Sequence, residues 1–422
     1  LQDLLVNYRP YNKYLEKLLV SENINNSSVN EALNGAAFQY LKKEIDNSTL
    51  KRWGIFFTGH SMADLLIENH SKDLEKGINV FDPTCGAGDL LIACAKKFPY
   101  KKTLKETVDY WGEMLFGFDV HEEFVNTTKL KLLLLAKSKC NSVDTFSISE
   151  VFPNIKTADF LSTIFDFKNI DLVIMNPPYV NQTISENVEW GSGKLSIAAF
   201  FVEKCVKNIC DKTKLVALLP DVLCTGSRYE KWRKIISNNA KELKLNRIGL
   251  FDKSIDVDVF KLDLKQGTSY RNIKWHFAIN SRNKVDNLFD VRVGAVVPHR
   301  DKKIGKKYPY IYSRNTLPWK EIIPCQEQRQ FNKTVFLPPF VVVRRTSGPR
   351  DKHRAVASII KGNKHVAVEN HLIILKPKNG GIKLCRELMY KLKQPYINEW
   401  LNQRISCRHL TVSAIGEIPW RE

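Results

Sequence analysis

The sequence lacks most of the features that would fix a protein's class quickly. Its nine cysteines form no Cys-x-x-Cys pair, and its nine histidines show no metal-ligand spacing. An odd, scattered set of thiols, with Cys205 and Cys210 the nearest neighbours, excludes a disulfide framework and a zinc site. It fits a reduced, cytoplasmic protein, and no metal is expected. No apolar run approaches the roughly 18–20 residues that span a bilayer, so no membrane segment is expected. No N-terminal signal peptide is visible in a chain that starts at Leu1. Gly191-Ser192-Gly193-Lys194 imitates a phosphate loop, but it lacks the earlier glycine, has Leu195 where Ser or Thr belongs, and follows no strand. That chemistry is excluded there.

What the chain has in excess is positive charge. Across 422 residues, 65 Lys and Arg face 45 Asp and Glu, a net charge of +20. Residues 286–422 hold 26 basic and 11 acidic side chains, net +15, leaving +5 for residues 1–285. Such asymmetry is the footprint of a polyanion partner, although a membrane surface or solubility alone also suits it. The length allows two domains with sizeable cores.

The most informative residues are Asn176-Pro177-Pro178-Tyr179, closing the apolar run Asp171-Leu172-Val173-Ile174-Met175. A buried parallel strand ends there, and ligands of open α/β sheets sit outside such carboxyl ends. Two prolines fix the backbone and remove two donors, which holds the Pro177 carbonyl outward. The Asn176 oxygen and that carbonyl make two acceptors beside the Tyr179 ring, suited to an amino group on a planar ring. A plain rigid turn after a strand is the blander reading.

Upstream, Val80-Phe81-Asp82-Pro83-Thr84-Cys85-Gly86-Ala87-Gly88-Asp89 reads as strand, glycine turn, then helix. Gly86 and Gly88 let backbone approach a ligand closely at a helix N-terminus. The flanking Asp82 and Asp89 would repel a pyrophosphate and favour ammonium and hydroxyl groups. Leu115–Asp119 is a second strand ending in an acid placed for ribose hydroxyls. Thr157-Ala158-Asp159-Phe160-Leu161 offers a carboxylate for an amino group and an apolar neighbour for its ring. Asp119 and Asp159 also suit ordinary helix caps or turns.

The ordered set Phe57-Thr58-Gly59, Asp82 to Gly88, Asp119, Asp159-Phe160 and Asn176 to Tyr179 resembles the S-adenosylmethionine-dependent DNA adenine N6-methyltransferases of restriction–modification systems, in the order of their γ class. The resemblance covers about residues 50–280 through motifs and the rest more loosely. It implies an enzyme that moves a methyl group from S-adenosylmethionine to N6 of a flipped-out adenine in double-stranded DNA. Asn176, Pro177, Pro178 and Tyr179 would be catalytic. Thr58, Asp82, Thr84, Cys85, Gly86, Gly88, Asp119, Asp159 and Phe160 would hold the cofactor. A restriction endonuclease or specificity subunit is an implied partner. Two departures stand out: Gly59 replaces the family's usual proline, which loosens that loop, and Cys85 sits in the glycine turn. RNA or protein-glutamine methylation, or a specificity subunit with an inactive fold, remain as rivals.

Alternating strand and helix patterns from Ile78 predict a doubly wound, mostly parallel α/β sheet of Rossmann-like type over residues 53–285. They run Ile78–Asp82, Leu115–Asp119, Ile170–Asn176, Lys214–Pro220, Leu245–Phe251 and Ile273–Ile279, with helices between. Residues 1–52 read as helices, either a packing appendage or a lid, and Gly54–Thr58 as β-rich. Val180–Lys194 reads as a mobile active-site loop. Residues 286–422 read as an irregular α+β domain with basic loops, which the resemblance makes the target recognition domain. Its expected DNA contacts are Arg344, Arg345, Lys352 and Arg354. The aromatic expected on the far side of a flipped base is Phe260 or Phe251.

Overall fold

The computed structural model describes residues 6–21, 26–140, 146–252, 255–268, 275, 281–324, 327–348, 350–405 and 408–420. The chain divides into two compact units, Leu1–Leu223 with Glu230–Ile273, and Cys224–Tyr229 with Lys274–Glu422. The division thus runs at Ile273/Lys274 rather than at 285/286, and residues 1–52 form no unit of their own.

Nine strands of the first unit are described: β1 (Val80–Asp82), β2 (Leu115–Asp119), β3 (Ile155–Thr157), β4 (Leu172–Met175), β5 (Asn181–Val188), β6 (Gly191–Ser196), β7 (Lys214–Pro220), β8 (Ala240–Asp252) and β9 (Ile255–Gln266). Seven make one sheet in the order β3-β2-β1-β4-β7-β9-β8, parallel through β7. Every residue of β4 is buried, as expected where helices cover both faces of a parallel strand. The strand order reverses between β1 and β4. A crevice opens outside the carboxyl ends at such a switch point, and Asp82, Asp119 and Asn176 all stand there.

The far edge departs from the expected alternation. β9 runs antiparallel to both β7 and β8 and forms a long hairpin with β8. Its alternating residues are those of a strand with one polar face. Lys261 donates to the Leu65 carbonyl (3.0 Å) and Asp263 meets His70 (3.2 Å), so the residues beside helix His60–Ile67 satisfy that face. The strand expected at Ile273–Ile279 lies outside the described residues.

Helix Glu122–Lys137 is buried on nearly all sides because the N-terminal helix Arg9–Val20 lies over it. Asn12 donates to the Glu123 carbonyl (3.0 Å) and accepts from the Thr127 hydroxyl (2.6 Å). Tyr8, Tyr11 and Leu15 join the same core, so the N-terminal helices pack rather than stand apart. Two local expectations are corrected. Residues 54–58 form no strand, and the active-site loop expected at Val180–Lys194 takes the form of the hairpin β5-β6.

The second unit is built around β10 (Phe289–Val293), β11 (Lys306–Ile311), β12 (Glu321–Ile322), β13 (Gln328–Phe331), β14 (Phe340–Arg344), β15 (Ala357–Ile360), β16 (Ala367–Val368) and β17 (Leu372–Pro377). One sheet has the order β10-β17-β14-β15-β12, a second β13-β11-β16. Helices Gly381–Leu392 and Pro395–Arg404 bury Leu388, Leu392, Ile397 and Leu401 against Val341, Val343 and Ile373. This is the α+β architecture expected.

Candidate active site

A cavity of about 340 Å³ opens at the crevice between the ends of β1, β2 and β4. That is at the small end of the ~300–1,000 Å³ typical of ligand pockets. Its polar wall is Thr84, Gly86, Asp119, Asp159, Asn176 and Gln182; Phe56, Phe57, Phe160 and Phe201 are among its apolar lining. A narrow branch runs from it between Thr58 and the glycine turn, past Asp82 and Asp89.

The turn after β1 explains its own sequence. Gly86 and Gly88 have φ of +51° and +83°, left-handed values that L side chains rarely adopt. Gly86 faces both branches. Gly88 does not: a Cβ there would come within 2.8 Å of Thr128, so this glycine serves helix packing, and the expected ligand approach is corrected. Cys85 is buried, and its amide is already used on the Phe118 carbonyl (2.8 Å). Cys85 lines the narrow branch and not the main cavity.

The carboxylates differ in what binds them. Asp82 Oδ1 accepts from the Thr84 amide (2.9 Å), while its buried Oδ2 has no partner among the described residues. Burial, aided by the charge of Asp119, pushes the Asp82 carboxyl up to about 8. Asp119 accepts from the Gly86 amide (3.1 Å) and the His121 amide (2.9 Å). Burial still raises it to about 6. Asp89 is neutralised by buried Lys131 at 2.8 Å. Asp159 accepts from the Leu161 amide (2.9 Å) and the Ser162 hydroxyl (3.0 Å), so it makes a turn as well as lining the cavity.

Asn176 is held at both ends of its amide. Its Nδ2 donates to Thr58 Oγ1 (3.0 Å), and its Oδ1 accepts from the Tyr179 hydroxyl (2.6 Å). The Tyr179 hydroxyl is also 3.3 Å from the Leu218 carbonyl, so its ring is fixed in place. Asn176 and Pro178 line the cavity; buried Pro177 and half-buried Tyr179 do not. Thr58 is steadied in turn by Gly59, whose amide donates to Asp89 Oδ2 (2.8 Å) at φ +70°. Proline could take neither that φ nor that role, so Gly59 pins the loop rather than loosening it.

Phe260 and Arg354 are misplaced by the sequence reading. Phe260 points into the core from β9 and is fully buried, so it meets no ligand. Phe251 on β8 is only partly buried and packs edge-on to Tyr179, with ring centres 5.7 Å apart. Arg354 is fully buried, donating to Ser347 (3.1 Å), Asn402 (2.7 Å) and the Ile405 carbonyl (3.0 Å), which makes it a structural strut. Arg344 and Arg345 are half-buried and donate to carbonyls of Thr316 and Leu410; Lys352 is exposed.

Other contributors went unnoticed in the sequence. Lys204 donates to the carbonyls of Phe160, Leu161 and Thr163 at 2.6–2.9 Å, anchoring the loop that carries Asp159. Its signal was only a cation on an amphipathic helix. Trp53, exposed at the rim, and Gly54 were hidden in an aromatic run. A Cβ at Gly54 would come within 2.9 Å of Pro178, so only glycine lets this segment lie against the Asn-Pro-Pro turn.

Known proteins resemble this arrangement. Residues 113–257 match the family described as Eco57I restriction-modification methylase. The modification methylase CviBIII of Paramecium bursaria Chlorella virus NC1A is 20% identical over 201 residues. That match spans 46% of this chain and 45% of the viral protein, so the chain covers under half the length of this relative. The Type IIL restriction-modification enzyme MmeI, solved in complex with DNA, superposes with a TM-score of 0.59 at 12% identity. The superposition covers 90% of this chain and 70% of that one, and shows a shared fold. Among the described residues, no helix is long and apolar enough to cross a membrane, and no three His, Cys, Asp or Glu converge as a metal site.

Proposed function

We propose that this protein is a DNA methyltransferase that moves a methyl group from S-adenosylmethionine to N6 of adenine. The observation that carries the reading is the position of Asn176. It stands at the carboxyl end of β4, in the wall of the same cavity that Asp119 and the glycine turn line.

The residues present fit the cofactor. Asp82 lines the narrow branch and carries a buried, unpartnered Oδ2, which suits an ammonium group. Asp119 is already shaped by two backbone amides and has lone pairs left for ribose hydroxyls. Asp159 would accept from the adenine amino group, with Phe160 and Phe201 beside the ring. When bound, the cofactor supplies a methyl group on a sulfonium, an electrophile already activated.

The chain then has to orient the nucleophile. The adenine N6 lone pair is delocalised into its ring. A hydrogen bond from N6 to the Asn176 oxygen favours a pyramidal nitrogen with a localised pair; the Pro177 carbonyl, which the resemblance makes the second acceptor, stands behind the cavity wall. Asn176 is pre-set for this, since Thr58 fixes its amide and Tyr179 takes only one of the two oxygen lone pairs. Positioning and oriented dipoles of this kind supply several kcal/mol each, up to ~7–11 for ideal positioning. The target atom is inaccessible in a duplex, so the base must flip out at a cost of a few kcal/mol. Phosphate contacts from the basic second unit would offset it, and Phe251, edge-on to Tyr179, would be the aromatic that supports the flipped ring.

The test is chemical. Duplex DNA methylated by the purified chain is digested to nucleosides and analysed by mass spectrometry, with N6-methyladenine expected. Finding N4-methylcytosine, or label only in RNA or protein, overturns the reading. A cognate nuclease or specificity subunit would be sought by co-purification.

A further inference from the structure

A second, larger cavity lies in the C-terminal unit, about 670 Å³ and open to solvent. Its wall is unlike a phosphate track. Arg314, Arg329 and Arg344 share it with Glu327 and Glu369, around the rings of Tyr310 and Tyr312. A surface that holds only phosphates gains nothing from two carboxylates, which would repel them. The edges of nucleic-acid bases are different, because they present donors and acceptors side by side. Arginine pairs with guanine O6 and N7, and carboxylates accept from the amino groups of cytosine or adenine.

The strands aim these side chains together. Tyr310 and Tyr312 are two residues apart and share one face, with rings stacked at 5.4 Å and 25°. β11 pairs antiparallel with β13 in the register Tyr308 to Arg329. That brings the Arg329 guanidinium carbon to 5.5 Å from the Tyr310 ring centre. Arg329 is more than nine-tenths buried, its Nη2 donating to the Asp301 carbonyl (2.8 Å), and its Nε has no partner among the described residues. Glu327 is held by the Tyr312 hydroxyl (2.9 Å), which occupies one carboxylate oxygen and leaves the other. Arg314 is exposed at the mouth.

We propose that this concavity is where the protein reads base edges of its DNA target, with Arg314 and Glu327 as sequence-determining contacts and Arg329 as their buried support. The assignment rests on the proposed action on DNA. The tyrosine pair fixes the floor, Glu327 accepts from a base amino group, and Arg314 donates to a base acceptor.

The test uses the full chain expressed in a host that lacks its own DNA methylation, with long-read mapping of modified sites for the wild type, Glu327→Gln and Arg314→Ala. Duplex affinity is measured in parallel on oligonucleotides differing at one base pair. Each variant should accept a base pair the wild type rejects, with discrimination at that position falling by about tenfold. Thermal melting and cofactor binding should be unchanged, and Arg329→Lys should relax the same positions if the first two variants fail to fold. An unaltered site preference in folded variants overturns the assignment. So does an equal loss of affinity for every sequence with a shallower salt dependence, which marks phosphate contacts. A wild-type chain that leaves DNA unmethylated overturns the proposed function and this assignment with it.

Discussion

The two units build cavities of opposite character. In the first, acids stand at strand ends: Asp82, Asp119 and Asp159, each steadied by backbone amides one or two residues on. In the second, arginines dominate the wall, and the acids there are held by side chains, Glu327 by Tyr312 and Glu369 by His371. The first arrangement suits a cation with hydroxyls and an amino group. The second suits a polyanion whose interior edges are polar. The comparison teaches that net charge alone is a poor guide to a site: the chain is basic, yet Asp82, its most deeply buried carboxylate among the described residues, lies where chemistry is proposed.

The sharpest way to break the comparison is at the hinge of the chemistry. Asn176→Ala should cost 10²–10³-fold in kcat, about 2.7–4 kcal/mol, comparable to losing an oriented dipole in a transition state. S-adenosylmethionine and DNA affinities should change by no more than a few fold, because Asn176 is assigned to the target amino group and reaches an expected cofactor residue only through its bond to Thr58. A variant keeping more than about a tenth of the wild-type rate sinks the role.

On the basic side, the contrast lies between two neighbours. Arg354→Ala strands acceptors on Ser347, Asn402 and Ile405 and should lower stability by about 2–3 kcal/mol. Lys352→Ala, at an exposed position, should leave melting unchanged and flatten the salt dependence of DNA binding by up to ~0.9. Equal melting temperatures for the two variants would mean that Arg354 is no strut.

Within the acidic cavity, Asp119→Ala should weaken cofactor binding by about 10- to 150-fold, the roughly 1.5–3 kcal/mol of hydrogen bonds to a charged acceptor. DNA affinity without cofactor should hold. Isothermal titration with unchanged cofactor affinity would remove Asp119 from the site.

The first unit was far more legible in sequence than the second. β1, β2, β4 and β7 are continuous apolar runs that end in polar residues, so strand, turn and site sit within a few residues of one another. That is why Asp82, Asp119 and Asn176 can be grouped from the order of their strands alone. Phe260 shows the limit of such reading. An aromatic next to a charged alternation looks available, but period two decides which face it takes, and β9 turns it inward. Arg354 failed for a related reason: a basic run gives charge and not burial, and helix Pro395–Arg404 supplies the Asn402 acceptor from 48 residues away. The second cavity had no local signature at all. Its residues come from Pro298 to His371 and meet only through the pairing of short strands.

The smallest expected effect is the most diagnostic for the acidic cavity. Asp82 is raised by burial to about 8, so the free protein holds this carboxyl mostly protonated at pH 7. The sign for stability follows: the contribution of this carboxyl is fully present below the unfolded value near ~4 and is lost as pH rises from there through about 8. An ammonium beside Oδ2 favours the ionised form, so cofactor binding should expel close to one proton at pH 7. Affinity should then rise with pH between about 6 and 8, by at most ~tenfold per unit, before the ligand's own amino group, at about 7.7–8.0, begins to lose its charge. Calorimetry in two buffers of different ionisation enthalpy counts the proton directly. Asp82→Asn should bring that count to near zero while the fold survives, since asparagine keeps the acceptor for the Thr84 amide. A wild type that releases no proton on binding would mean that the cation sits elsewhere, and the acidic cavity would lose its assigned ligand.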